Sequence, residues 1–523
     1  MDESYSVNKK PLLNKGQTVG VIANYFTEQL LKRDFKIKKI LINDVLDVLE
    51  KNMIEVVFIE TNIYEEDHDW YGYSFKEMAD YIEKFNVNVI ALNSYETDKN
   101  NDYFQLNFNS KYRECKIEGN VISMPLLLNE YIFNPIETHR KNQDILFFSL
   151  GEPVEDEFLN QFLKRVKPKY DEIITPKITR SMLKELIKKI KLSKVLYIYY
   201  SDDFNKELLK YIELSAVIQN TVLILDPQFT CQMDYAFISP DVESNPNYLQ
   251  TFTNEGLYTD KKIIKSNRQA FLNNTLMQLP SLDEILNGNL DKKKIEISVI
   301  TSTKRKWTIN QYIDRLNQQK HVDIQVILLT HGFELSVEEQ QNIVEKANFE
   351  IKIINEDSSV IFGVCLNKCI DYATKEYFAK IDDDDFYYPN YLLDSWISQK
   401  YSRADIVGIY SQFVYLESQD LTIQRFKSHK NRYSEYVAGA TIFCETQQIK
   451  EYMFSEIPKA VDSDLLRRVL SNNGKIYCGH PYEFCIFRAD DKTAHTWTVP
   501  DTHLLRSSEI LFYGDPTDSL SIN

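Results

Sequence analysis

A chain of 523 residues is too long for a single hydrophobic core, so about two to four domains are expected. With 43% hydrophobic and 26% charged residues it reads as an ordinary globular protein, and its net charge of −16 argues against a broad nucleic-acid footprint or attraction to an anionic membrane surface. No apolar run approaches the roughly 20 residues that cross a bilayer, and MDESYSVNKK at the N-terminus lacks the apolar segment of a signal peptide, so none is expected. Seven cysteines without a C-x-x-C pair indicate a reducing compartment, so the expected location is cytoplasmic, with peripheral attachment at the inner membrane face compatible with it.

From Thr18 the chain alternates strand-like and helix-like segments. Apolar runs fall at Val19–Ala23, Ile54–Ile59 and Val87–Leu92, and Phe75, Met78, Ile82 and Phe85 recur at helical spacing between the last two. That rhythm predicts a parallel α/β sheet. The first strand lacks a G-x-G-x-x-G turn, which argues against a standard dinucleotide site. A second set follows at Ile145–Leu150, Val195–Tyr200 and Val222–Leu225, with Leu183, Leu186, Ile187 and Ile190 as a helical stripe. Two Rossmann-like units are therefore expected, at 1–140 and 141–280, and the charged stretch 281–294 is expected to be a linker.

Glu60-Thr61-Asn62 ends a strand, where an α/β sheet commonly binds a ligand, although a polar strand-to-helix turn is the simpler account of it. The segment F-I-E-T-N-I-Y at Phe58–Tyr64, with Trp70 beyond, resembles the N-terminal part of CgeB-like (spore-maturation) glycosyltransferases. The resemblance implies a GT-B-like half. No conspicuous acidic and basic donor site occurs here, so a degenerate scaffold for acceptor binding or oligomerisation is expected, and a homo-oligomer is compatible with it.

A new pattern begins at Ile295. Ile295–Ile300 is a predicted strand with the polar loop Thr301-Ser302-Thr303-Lys304-Arg305 behind it. Ile309, Tyr312, Ile313 and Leu316 mark one helical face, Val322–Leu329 the next strand, and Gly363 leads into a helix with Leu366, Ile370 and Ala373. Cys365 and Cys369, at i, i+4, are expected as small core residues. Then comes K-I-D-D-D-D-F-Y-Y-P-N, Lys380 to Asn390. Four consecutive carboxylates repel one another, and a surface turn is the usual setting. Here the flanking Tyr377, Phe378, Ala379 and Ile381 place them at a buried strand end, where they need a cation; hard oxygen ligands select Mg²⁺, Mn²⁺ or Ca²⁺.

I-S-V-I-T-S-T-K-R (Ile297–Arg305), G-V-C-L-N-K (Gly363–Lys368) and I-D-D-D-D-F-Y-Y-P (Ile381–Pro389), in this order, resemble glycosyltransferase family 2. The resemblance implies a GT-A fold, a Rossmann-like mixed sheet, over the domain at 295–523. It further implies that Thr301, Thr303 and Arg305 border the nucleotide, that Asn367 and Lys368 begin the helix beside it, and that Asp382 and Asp383 contact the donor. Asp384 is then the metal ligand, with Asp385 a second ligand or a sugar contact, and Mn²⁺ or Mg²⁺ the expected ion. The family's catalytic acid falls at a helix start after a small-residue loop, matched by Gly439-Ala440-Thr441 and V-D-S-D-L-L at Val461–Leu466. Asp462 aligns best as general base, but Val461 stands where the family has Glu, which leaves Asp464 as rival; simple helix capping by Asp462 or Ser463 competes with both. His495 is a candidate third metal ligand, with His480 and His429 weaker ones.

The implied activity is inverting, metal-dependent transfer from a nucleotide sugar, first a UDP-sugar, to a teichoic-acid-like glycopolymer, a capsular glycan or a protein. The competing readings are a non-catalytic carbohydrate-binding or assembly protein and a nucleotidyltransferase; the missing Gly-rich phosphate loop weighs against the latter.

Overall fold

The computed structural model describes residues 13–93, 103–109, 111–151, 163–164, 167–202, 204–226, 228–229, 235, 237–238, 251–254, 256–491, 499–506 and 508–522. The chain divides into two compact units: Met1–Pro135 with Arg140–Lys293, and Ile136–His139 with Lys294–Asn523. Among the described residues no helix is long and apolar enough to cross a membrane.

In the first unit, β1 (Thr18–Ile22), β2 (Lys36–Lys39), β3 (Val56–Glu60), β4 (Asn88–Asn93), β5 (Phe104–Asn109), β6 (Lys116–Glu118) and β7 (Val121–Pro125) form one sheet in the order β2-β1-β3-β4-β5-β7-β6. All neighbours are parallel except β6 and β7. The near-continuous apolar runs of β1, β3 and β4 follow from burial on both faces. Phe75, Met78, Ala79 and Ile82 of the helix Phe75–Glu83 pack on this sheet, and a Ser74–Glu77 capping box starts that helix.

A second, all-parallel sheet, in the order β12-β11-β10-β8-β9, comprises β8 (Gln143–Leu150), β9 (Tyr170–Thr175), β10 (Ser193–Ile198), β11 (Val222–Leu225) and β12 (Phe237–Ile238). Residues 281–294, expected to be a linker, begin instead with a capped helix, Leu282–Leu286. Leu282, Ile285 and Leu286 are buried, and Leu282 N–H donates to Asp34 Oδ2 at 2.8 Å. The polar composition had hidden a short apolar stripe.

The second unit is built on a mixed sheet in the order β15-β14-β13-β16-β22-β18-β23-β21. Its strands are β13 (Glu296–Thr303), β14 (Asp323–His331), β15 (Glu350–Glu356), β16 (Tyr377–Lys380), β18 (Ile406–Gly408), β21 (Arg432–Ser434), β22 (Phe443–Glu445) and β23 (Ile476–Cys478). The first four strands in that order are parallel, and β22 runs antiparallel to β16 and β18. A smaller sheet, β17-β24-β19-β20-β25, comprises β17 (Phe386–Tyr387), β19 (Gln412–Leu416), β20 (Leu421–Arg425), β24 (Phe484–Arg488) and β25 (Ser508–Tyr513). Cys365, Leu366, Cys369 and Ile370 of the helix Phe362–Asp371 lie in the core with Ile300, Ile327 and Phe378 of the sheet, so the two cysteines are core residues as expected. The unit is Rossmann-like and mixed, as the fold class predicts.

Candidate active site

Parallel pairing sets the site. β13 and β16 are neighbours, with Ile300 opposite Lys380, so the loop after Thr303 and the acid run after Ile381 leave the same edge of the sheet side by side. The four carboxylates then turn in different directions, which relieves the repulsion their spacing would otherwise impose.

Asp383 is 3% exposed and faces β13. It accepts from Arg305 Nε at 2.9 Å and Nη2 at 2.5 Å, from Thr303 Oγ1 at 2.9 Å and from Thr308 Oγ1 at 2.5 Å. Arg305 Nη1 lies 2.8 Å from Asp384 Oδ2, so one guanidinium grips two adjacent carboxylates. Burial disfavours the charged guanidinium, but the hydrogen bonds and charges of the acid run outweigh it and hold its pKa above the ordinary value. Thr301, by contrast, is buried beneath the loop: its hydroxyl donates to Ile381 O and sits 2.6 Å from the Tyr312 hydroxyl. It supports the acid run from below.

Asp385 is buried and accepts from Phe487 N at 3.1 Å. Burial, then the charges of Asp384 and Asp382, push its carboxyl well above the usual carboxylate range. Asp382 turns the other way and keeps 40% of its side chain exposed. Lys380 Nζ, almost wholly buried, donates to Asp382 Oδ1 at 2.8 Å and to Gly439 O at 3.2 Å, and it lies 3.8 Å from Asp462 Oδ2. Burial disfavours the ammonium, but Asp382 and Asp462 raise its pKa above that of a free lysine, so it stays charged.

Asp462 stands in the first turn of the helix Val461–Ser471. It does not cap that helix: Ala460 is the N-cap residue, at φ +61°, with no side-chain capping bond. Asp462 is instead laid against Gly439, where a Cβ would stand 2.0 Å from Asp462 Oδ2. The small-residue loop is thus small because a carboxylate occupies the space. Burial raises the Asp462 carboxyl, Lys380 lowers it and Asp382 raises it, and the net position is above the ordinary carboxylate value. Its Oδ1 is shielded and accepts no hydrogen bond among the described residues.

Asp464 points elsewhere. It accepts from Ser455 Oγ at 2.5 Å and Arg468 Nε at 2.8 Å, and those bonds hold its carboxyl below the usual range. Asn367 clamps the same neighbouring loop, donating to Phe454 O and accepting from Phe454 N, both at 2.8 Å. Lys368 pairs with Glu356 at the end of β15. His480 pairs with Asp394 at 3.1 Å, and His429 packs against Tyr410 with ring centroids 4.4 Å apart. His495 lies outside the described residues.

Among the described residues no three His, Cys, Asp or Glu side chains form a ready cation cage. Mg²⁺ and Mn²⁺ bound with substrate phosphates need only one or two protein carboxylates. Asp384, 21% exposed, and Asp382 at the mouth fit that requirement, whereas Asp383 is saturated by its donors and Asp385 is buried. Sequence reasoning missed Lys380 and Thr308. The lysine was visible at the head of the acid run, but only its burial between two carboxylates reveals its role.

In the N-terminal unit β1 lies between β2 and β3, so the sheet's switch point falls at the ends of β1 and β3, beside Glu60. Glu60 is buried and accepts from Asn24 N at 2.7 Å and Thr27 Oγ1 at 3.1 Å, while Arg180 pairs with Glu28 and Glu65 nearby. The chain's own groups thus take up Glu60.

Residues 298–433 match the family model described as Glycosyl transferase family 2. No curated protein matches the chain. Solved structures that align include the mannosyltransferase PcManGT from Pyrobaculum calidifontis in complex with GDP-Man and Mn²⁺, at 12% identity and TM-score 0.30, covering 37% of this chain and 56% of that one. TarS residues 1–349 from S. aureus in complex with UDP-GlcNAc align at 17% identity and TM-score 0.31, covering 41% and 64%. GalNAc-T7 with UDP, GalNAc and Mn²⁺ aligns at 12% identity and TM-score 0.28, covering 37% and 45%. Each alignment spans less than two thirds of the other protein. The family match falls on β13, the acid run and the strands around them, and with it the C-terminal half of the chain contains a glycosyl transferase family 2 domain.

Proposed function

We propose that the C-terminal unit moves a sugar from a nucleotide sugar, first a UDP-sugar, to a hydroxyl of a glycopolymer or protein acceptor, with inversion and with a divalent cation. The observation that supports this reading is the buried Lys380 ammonium, which stands between Asp382 of the acid run and Asp462 at the helix start. Inverting transfer needs a carboxylate for the acceptor proton that is distinct from the groups holding the donor diphosphate. The two ends of this bridge supply that separation.

In this reading Asp462 takes the acceptor proton, and a carboxyl pKa above the ordinary value makes it a better base than a surface aspartate. Lys380 fixes its orientation, and Gly439 leaves the room it occupies. Arg305 and Thr308 lock Asp383 and so aim Asp384 and Asp382 at the mouth. A Mn²⁺ or Mg²⁺ held by Asp384, with Asp382 beside it, would neutralise the charge that develops on the leaving diphosphate. The N-terminal unit we read as a scaffold for acceptor binding or self-association, since its switch point is taken up by its own residues.

Incubation of the full chain with UDP-sugars and Mn²⁺ tests the reading. Slow release of UDP supports it. Release of pyrophosphate would make the protein a nucleotidyltransferase, and absence of any turnover would make it a binding protein.

A further inference from the structure

Beside the Arg305–Asp384 pair, both members of which line it, the second unit opens into a cleft of about 590 Å³, within the ~300–1,000 Å³ of ligand sites. Trp307, on the loop after β13, stands at its rim with 72% of its surface exposed. Phe386 and Phe487, edge to face at 5.5 Å, form the apolar wall. The Arg315 guanidinium lies over the Phe386 ring at 4.8 Å and donates to Asp385 O at 2.8 Å. Gln311, one turn before Arg315 on the helix Ile309–Asn317, is exposed, and its side chain makes no hydrogen bond among the described residues.

We infer that this cleft binds a neutral saccharide segment of the acceptor; the inference rests on the proposed transfer for the word acceptor, and on the cleft alone for the word saccharide. A pyranose presents an apolar C–H face and a rim of hydroxyls. An exposed indole beside an apolar wall meets the first, and a planar amide and a fixed guanidinium meet the second. The charges of the wall are matched within it: Arg305 on Asp383 and Asp384, Asp314 on Lys346 Nζ at 2.7 Å, Arg315 on the Phe386 ring. A phosphodiester polymer would add negative charge beside Asp314 and Asp384 in a chain of net charge −16, so an anionic segment is disfavoured. Asp384, the proposed cation ligand, lines this cleft, so a chain held on Trp307 lies beside the proposed donor site.

The test is calorimetric titration of the full chain, without donor, with chitotetraose, cellotetraose, maltotetraose and poly(ribitol phosphate), on wild type and on Trp307→Ala. The expected result is binding of at least one neutral tetrasaccharide, weakened tenfold or more in Trp307→Ala at unchanged melting temperature. Absence of binding by all three tetrasaccharides, equal binding by the variant, or preference for poly(ribitol phosphate) overturns the inference. UDP release by wild type is measured in parallel. Tetrasaccharide binding without UDP release keeps the saccharide site and removes the transferase reading; UDP release without Trp307-dependent binding does the reverse.

Discussion

Lys380 Nζ stands 3.8 Å from Asp462 Oδ2, in a position where the lysine is only 3% exposed. The contact joins two parts of the chain that meet only in the fold: the end of a parallel strand and the first turn of a helix. Removing one partner of a buried ion pair leaves the other uncompensated, at a cost of about 3–5 kcal/mol. Lys380→Met is therefore expected to lower the melting temperature on the order of 10 °C and to reduce transfer, since Asp382 and Asp462 then face each other without the cation between them. Lys380→Arg, which keeps the charge, should recover part of the stability. Wild-type melting and wild-type transfer in Lys380→Met would make the bridge incidental.

The two aspartates of the helix start have separable roles. Asp462→Asn removes the proposed base and keeps the volume, so kcat should fall ~10²–10⁴-fold with donor affinity nearly unchanged. Asp464 holds Ser455 and Arg468 on the outer side, where it is 23% exposed. Its replacement by Asn should cost about 1 kcal/mol or less of stability and leave kcat within a few fold. Single-turnover transfer and donor titration of both variants decide the matter: if Asp464→Asn is the inactive one, the roles exchange.

The strands and the acid run were legible because their signals are local: apolar runs, helical spacing, four carboxylates behind a strand. Asp462 and its rival Asp464 were singled out only through the resemblance to the family's helix-start acid, and the structure adds that Asp462 alone lies against Lys380 and Gly439. What escaped depends on pairing across long separations. The smaller sheet joins β17, β24, β19, β20 and β25 across more than a hundred residues, and no local pattern announces such an order. Thr301 was expected at the nucleotide, but its hydroxyl is taken up by Ile381 O and the Tyr312 hydroxyl, while Thr303, two residues further along the same face of β13, meets Asp383. Asn367, assigned to the donor on its motif, is committed to the backbone of Phe454.

Gly439 offers a probe that spares the charges. An added Cβ there would meet Asp462 Oδ2 at 2.0 Å and Cγ at 2.4 Å, so the carboxylate must swing away. A displacement of about 1 Å in a reacting group costs up to ~10²-fold in rate. Gly439→Ala is expected to lower kcat by that order while donor binding persists, because the obstructed group lies at the end of a side chain and not in the backbone. Loss of donor binding together with kcat would show instead that the loop itself carries the donor.

The N-terminal unit holds a pair of groups whose pH effects oppose each other. Burial pushes the Glu65 carboxyl up to about 7, with Glu60 and Asp67 acting in the same direction and Arg180 and the Tyr25 N–H against it. Burial, with the Arg180 and Lys39 cations, brings the His68 imidazole down to about 4, although Asp69 and Glu28 act to raise it. From an unfolded value of 4.5, Glu65 contributes stability that is complete below pH 4.5 and is lost as pH rises to about 7. From 6.5, His68 contributes stability that is complete above pH 6.5 and is lost as pH falls to about 4. Each shift corresponds to at most about 3 kcal/mol, and between pH 4.5 and 6.5 the two slopes cancel. Glu65→Gln leaves the histidine alone, so its stability should climb from pH 4 to 6.5. His68→Gln leaves the carboxyl alone, so its stability should decline from pH 4.5 to 7. Urea unfolding across that range at constant ionic strength reads both slopes; parallel pH profiles for wild type and the two variants would mean that neither group is shifted by its burial.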